Sequence, residues 1–235
     1  MYGVRPVLGS GGQRVALARG AGKSRKSRKY AGLKCEWATQ GPDGQLLVGS
    51  TGKERTDDGG KVVHRGEMWV KNLDASWGVA HEDWVDRFGK LREAAQCPHG
   101  EGYMIHEAVR WSEVHQRWFF FPRKLSREVY DERRDEFKCC NLFLSASKDL
   151  DPGSILLRPL LDFKNTRGCS DFFFIPGTND CHLFVVRTQE NGASPGFTDS
   201  FVSVVDLEGN VLMEERLLAK YRKFEGACVL PEHFH

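Results

Sequence analysis

From about residue 43 onward, apolar residues come in short runs of four to eight, separated by turn residues. That pattern predicts strands rather than helices. The runs fall at 45–48, 67–70, 105–111, 118–121, 141–146, 154–160, 170–175, 181–187, 201–207 and 211–217. The polar connection at 112–117 makes a hairpin of its neighbours, and Glu208-Gly209-Asn210 makes another. Pro122 is expected to end the strand that carries Trp118 to Phe121, because proline cannot donate to a ladder. One stretch has helical periodicity: Trp84, Phe88, Leu91 and Ala95 lie on one face of a helix over 81–95. Residues 124–138 are dominated by charge and read as a surface loop or a short exposed helix. Many short strands with one helix define an all-β class: sandwich, barrel or propeller.

A weak internal echo favours the propeller. Four times, a polar residue precedes an apolar strand; in the first three a turn, a second apolar strand and a cation follow, and the fourth is only begun. The polar residues are Glu36, Glu107, Ser170 and Glu225, at intervals of 71, 63 and 55 residues. In a propeller the innermost strand of each blade begins at the central channel. Oxygens placed there converge from distant parts of the chain, as Ca²⁺ requires with its six to eight oxygen ligands. Spacing alone leaves two readings open, a ring of donors or solvated glutamates at strand starts.

The 235-residue chain is 40% hydrophobic and 28% charged, which excludes a disordered chain, and no run of about 18 apolar residues predicts a membrane-spanning helix. Its net charge of +2 hides an asymmetry, since residues 1–34 hold nine Lys/Arg and no acid. Such an arm could bind nucleic acid or an acidic membrane, but it lacks interleaved aromatics and any nucleic-acid fold motif. A solvated tail is the better reading, with no nucleic acid as partner. The seven cysteines form no CxxC pair and match no structural zinc spacing. Trp111 and Trp118 to Phe121 read as core between sheets rather than as a base-stacking platform.

Specific motifs add a family. Gly102-Tyr103-Met104-Ile105-His106-Glu107, then Trp111-Ser112, then Arg117-Trp118-Phe119-Phe120-Phe121-Pro122-Arg123, resemble the apyrase family of calcium-activated nucleotidases. Lys34-Cys35-Glu36-Trp37, Gly52-Lys53-Glu54, Glu67-Met68-Trp69-Val70-Lys71, Gly168-Cys169-Ser170-Asp171 and Lys223-Phe224-Glu225-Gly226 extend the resemblance in order over residues 33–228. It implies a five-bladed β-propeller that hydrolyses nucleoside di- and triphosphates, prefers UDP, GDP and UTP, and uses Ca²⁺ as cofactor. It implies Glu36, Glu107, Ser170 and Glu225 as calcium ligands and Arg123 at the substrate phosphates. Lys53 and Lys124 are supporting cations or plain surface lysines. Family members are secreted or reside in the endoplasmic reticulum and Golgi, and a homodimer is compatible with the resemblance.

The departures shape the expectation. The resemblance begins inside the family's domain, so about three blades and one short helix are expected here as an incomplete propeller, without the remaining family ligands. Three segments follow: a basic Gly-rich segment at 1–32 with no family motif, a partial propeller domain at 33–230 and a tail at 231–235. Cys139-Cys140, Arg55 and Cys169 replace family residues. Two functions remain in play, a truncated calcium-dependent phosphohydrolase and an inactive propeller remnant that serves as a binding scaffold.

Overall fold

Antiparallel neighbours need only short turns between them, and the apolar runs pair almost entirely in the order in which they occur. A computed structural model describes residues 34–57, 60–190 and 198–229. The basic segment at 1–32 and the tail at 231–235 lie outside the described residues. Strands β1 (Trp37–Gln40) and β2 (Leu46–Gly49) are followed by a small hairpin, β3 (Arg55–Thr56) and β4 (Val62–His64), and then by β5 (Trp69–Leu73) and β6 (Val79–Asp83). Helix α1 (Val85–Ala94) leads to β7 (Tyr103–Ser112) and β8 (Arg117–Ser126). The short α2 (Glu132–Asp135) precedes β9 (Leu142–Ser147) and β10 (Leu156–Pro159). Last come β11 (Arg167–Phe174), β12 (His182–Glu190), β13 (Thr198–Asp206) and β14 (Val211–Ala219). They form three four-stranded antiparallel sheets, ordered β1-β2-β5-β6, β7-β8-β9-β10 and β11-β12-β13-β14, plus the two-stranded β3-β4. In each four-stranded sheet the first strand in sequence is an edge, and β1 and β11 both pack beside β7.

The middle sheet explains the Trp118–Phe121 run. Side chains alternate across a strand, and here both faces are covered. Trp118 and Phe120 enter one core with Trp37, Trp84, Phe88, Leu91 and Trp111. Phe119 and Phe121 enter a second core with Phe143, Phe172, Leu183 and Val185. The expected inter-sheet role of these aromatics is what the burial shows. Helix α1 closes the first core with the expected residues, although it is shorter than 81–95. Residues 81–83 are claimed by β6, whose Val79 to Asp83 pair with Leu73 to Trp69. Trp84 caps the helix instead of lying within it.

Pro122 does not end its strand. Strand β8 continues to Ser126, and Pro122 faces His106 across the ladder. The register slips on both sides of that pair, and a proline is tolerated where bulges already interrupt the bonding. The charged 124–138 stretch holds the short α2, as its composition suggested, but residues 124–126 belong to β8, where Lys124 and Ser126 are buried rather than in a surface loop. All seven cysteines are free thiols.

The third sheet is covered fully on one face and only in part on the other, where Val186 and Thr188 are buried. Phe172, Leu183, Val185 and Val205 enter the second core, whereas the row Phe173, Phe184, Val204 and Met213 across all four strands belongs to neither core and is half-buried. An apolar row of this kind is a sticky surface. The isolated chain is therefore expected to associate with rising concentration, and Phe184→Ser to weaken that association. Sedimentation velocity over a concentration series checks it; a monomer at every concentration overturns it.

Candidate functional site

The edge strands β1, β7 and β11 bring three of the sequence-predicted residues together. Glu36 directly precedes β1, and its main-chain N–H donates to Gly49 O at 2.9 Å. The adjoining Trp37 is seated over Gly49, where a Cβ would stand 2.0 Å from the indole, and its Nε1 donates to Ser50 O at 2.9 Å. Glu107 lies on β7, and Glu225 on the segment that follows β14. Glu36, Glu107 and Glu225 line one cleft of about 370 Å³, together with Arg110 and Asp171.

Bulges aim the side chains. In the β7–β8 pair, Ile105 faces Lys124, His106 faces Pro122 and Ala108 faces Phe121, so Glu107 and Arg123 are each skipped by the register. In the β11–β12 pair, Cys169 faces Arg187 and Asp171 faces Val186, which skips Ser170. A bulge turns a side chain out of the alternation of its strand. Here the three skipped residues meet: Arg123 Nη1 lies 3.2 Å from Glu107 Oε2 and donates to Ser170 Oγ at 2.9 Å and Thr188 Oγ1 at 2.7 Å. Ser170 Oγ and Thr188 Oγ1 are themselves 2.7 Å apart. Gly168 makes room, since a Cβ there would lie 2.6 Å from Arg123 Cγ.

Arg123 thus lies inside β8 rather than at the end of a strand. It is 2% exposed, with Glu107 among its partners. Ser170 is equally buried, with its hydroxyl committed to Arg123 and Thr188. Lys53 is placed elsewhere, lining a separate cleft with Arg55, Tyr130 and Arg133. Its Nζ donates to Glu54 O at 2.9 Å and stands 3.9 Å from the Tyr130 ring centroid; burial pulls its pKa down. Lys124 is no surface lysine, being bound to Asp135 at 2.5 Å in a buried setting.

The electrostatics of the cleft favour an added positive charge. Burial and the nearby Glu107 push the Glu36 carboxyl above its usual range. Its buried Oε1 is paired with the exposed Lys34 ammonium at 2.7 Å, which offsets part of that rise. Asp171 is pushed up by burial and held down in part by Arg110, whose Nη2 donates to Asp171 Oδ1 at 2.7 Å. His106, beside Glu107, is fully buried between the rings of Phe88 and Phe120; burial holds its pKa at about 3, so it is neutral. As hard oxygen donors, these carboxylates suit Ca²⁺ in kind. In number they fall short, for among the described residues no three His, Cys, Asp or Glu groups converge closely enough to hold a metal.

Sequence reasoning missed Arg110, Asp171 and Thr188. Asp171 adjoins Ser170, and strict alternation would turn one of the two away from the site. Only the bulge lets both serve it.

The comparisons with known proteins agree with the motifs. The chain is 38% identical over 195 residues to "Apyrase apy-1" of Caenorhabditis elegans, covering 83% of this chain and 54% of that protein. It is 39% identical over 214 residues to "Soluble calcium-activated nucleotidase 1" of Rattus norvegicus, covering 90% and 49%. It is 35% identical over 215 residues to "Apyrase" of Cimex lectularius, covering 90% and 55%. The chain thus spans about half the length of the curated relatives it matches. The Apyrase family model matches residues 12–230, reaching into the basic segment at 1–32, where no family motif was expected. With that match over most of its length, the chain belongs to the apyrase family.

Proposed function

We propose that this chain is the calcium-binding part of a nucleoside di- and triphosphate phosphohydrolase, with its three four-stranded sheets as blades of a five-bladed propeller. The observation that carries the reading is the meeting of Glu36, Glu107 and Glu225 in one cleft from sequence positions 71 and 118 residues apart, with a Glu36 carboxylate whose side chain is 9% exposed. Glu36, Glu107 and Glu225 would hold Ca²⁺ through their carboxylates. Ser170, whose hydroxyl is committed, would contribute its main-chain oxygen from the bulge. The remaining donors would come from the part of the protein that this chain does not span. Calcium, when bound, supplies positive charge that polarises a phosphoanhydride. Arg123 fixes the Glu107 carboxylate, and its own charge favours the developing charge of a phosphoryl group. UDP, GDP and UTP are the proposed substrates, as the resemblance implies.

In the full-length protein, Glu107→Ala is expected to raise the Ca²⁺ concentration needed for half-maximal phosphate release from UDP by roughly ten-fold or more, one strong ligand being lost. Glu113→Ala is expected to leave it unchanged, because Glu113 lies in the β7–β8 turn and bonds only Trp111 Nε1 and Gln116 there. Equal effects of the two substitutions would remove the assignment.

A second reading, an inactive scaffold, draws on the lack of a three-carboxylate cluster among the described residues. Phosphate release from UDP by the 235-residue chain, with and without Ca²⁺, separates the two: calcium-dependent release excludes the scaffold.

A further inference from the structure

Glu225 has no strand or helix to hold it, and its side chain is 71% exposed. Residues 220–229 run as a strap across the third sheet with no ladder of their own. Yet Glu225 lines the cleft. Its place is set by side chains of other strands on either side of it. Before it, Ser200 Oγ on β13 donates to Arg222 O at 2.6 Å and accepts the Phe224 N–H at 3.0 Å. Asp199 Oδ1 accepts the Tyr221 N–H at 3.0 Å. After it, Asp171 Oδ2 on β11 accepts the Ala227 N–H at 2.9 Å.

Asp171 is itself fixed. Its Oδ1 accepts the Phe172 N–H at 2.9 Å and Arg110 Nη2 at 2.7 Å. Arg110 Nε reaches Phe172 O at 2.9 Å, and its Nη1 reaches Ala38 O on β1. Every group facing Asp171 in this set is a donor, so two acceptor oxygens are required and only a carboxylate has them. Ser200 is fully buried and uses its hydroxyl both ways, as donor and acceptor.

We propose that Asp171 and Ser200 form a two-point latch that positions Glu225 in the cleft, with Arg110 tying the latch to β1 and β7. Resting on the calcium reading above, it makes Asp171, Ser200 and Arg110 positioning residues rather than ligands. The latch converts an exposed carboxylate on an irregular segment into one held in place. Losing either anchor frees the strap while the ladders of β11 to β14 stay paired.

The test uses Asp171→Asn, which keeps shape and volume but offers one acceptor oxygen and points an NH₂ at donors. Ser200→Ala is the second, independent variant. Backbone amide exchange, read residue by residue, is expected to rise about ten-fold at Ala227 in Asp171→Asn and at Phe224 in Ser200→Ala, the scale of one lost hydrogen bond. Exchange within β11 to β14, apart from the Phe172 amide that Asp171 itself accepts, should not change. Calcium titration by calorimetry is then expected to show weakening of several-fold in either variant, with no further loss when Glu225→Gln is added. A role in stability alone would lower the melting temperature and leave calcium uptake by the folded protein intact. Unchanged exchange at Ala227 and Phe224 overturns the latch. Raised exchange with calcium uptake intact, where Glu225→Gln does weaken it, overturns the positioning role. If Glu225→Gln leaves calcium uptake intact, the metal reading of Glu225 falls, and the amide data alone decide whether the latch exists.

Discussion

On the proposed phosphohydrolase function, Arg123→Lys in the full-length protein is expected to lower kcat for UDP hydrolysis by roughly ten-fold or more, the equivalent of one strong charge-assisted hydrogen bond. Lysine keeps the charge, but its ammonium sits on a shorter stem than Arg123 Nη1, the nitrogen that meets Glu107, Ser170 and Thr188, and it lacks the other donors of the guanidinium. Arg123→Ala is expected to do more. It strips the counter-charge from a Glu107 side chain only 12% exposed, and breaking such a pair costs about 3 kcal/mol or more. The alanine variant therefore loses thermal stability as well as activity, and the lysine variant separates the two effects. Activity assays and melting curves on both variants check this. An Arg123→Lys protein with full kcat would leave Arg123 a purely structural residue.

The largest stability effect is expected at Glu54, far along the fold from the cleft. Arg92 on α1 is fully buried, and its guanidinium reaches Glu54 Oε2 at 2.5 Å and the carbonyls of Cys97, Pro98 and Gly102. His99 Nδ1 meets Glu54 Oε1. Glu54→Gln would leave Arg92 charged and buried without its counter-ion, at about 3–5 kcal/mol. For a domain of this size that corresponds to a fall in melting temperature on the order of 10 °C.

The same pair sets a pH dependence. Burial would raise the Glu54 pKa, but the hydrogen bonds from His99 and Arg92 outweigh it and hold the carboxyl at about 2, below its ordinary 4.5. A depressed folded-state pKa means stability that is fully present above about 4.5 and lost as the pH falls toward 2. Wild type should lose more melting temperature between pH 5 and pH 3 than Glu54→Gln does, since the variant has no carboxyl there to protonate. Parallel pH profiles for the two proteins would contradict this.

The sequence by itself determined the all-β class, the helix that carries Trp84, Phe88 and Leu91, and the family. Those features are written in local patterns: period-two apolar runs, one period of 3.6, and motifs in order along the chain. It also singled out Glu36, Glu107 and Glu225, because polar residues before apolar strands stand out against their neighbours. Short β6 and the β3–β4 hairpin were not legible, for their residues are mostly exposed and pairing rather than hydrophobicity makes them strands. What only the tertiary structure decided is which way side chains point where the alternation breaks. Three register slips turn Glu107, Arg123 and Ser170 toward one another and make Pro122 a mid-strand residue. A bulge is a relation between two strands, so no spacing within one strand encodes it. The separate setting of Lys53, the burial of Arg123 and the hold of Asp171 on the strap have the same origin. Each depends on a partner between 16 and 77 residues away in sequence, brought within hydrogen-bond or ring-contact distance only by strand pairing and tertiary packing.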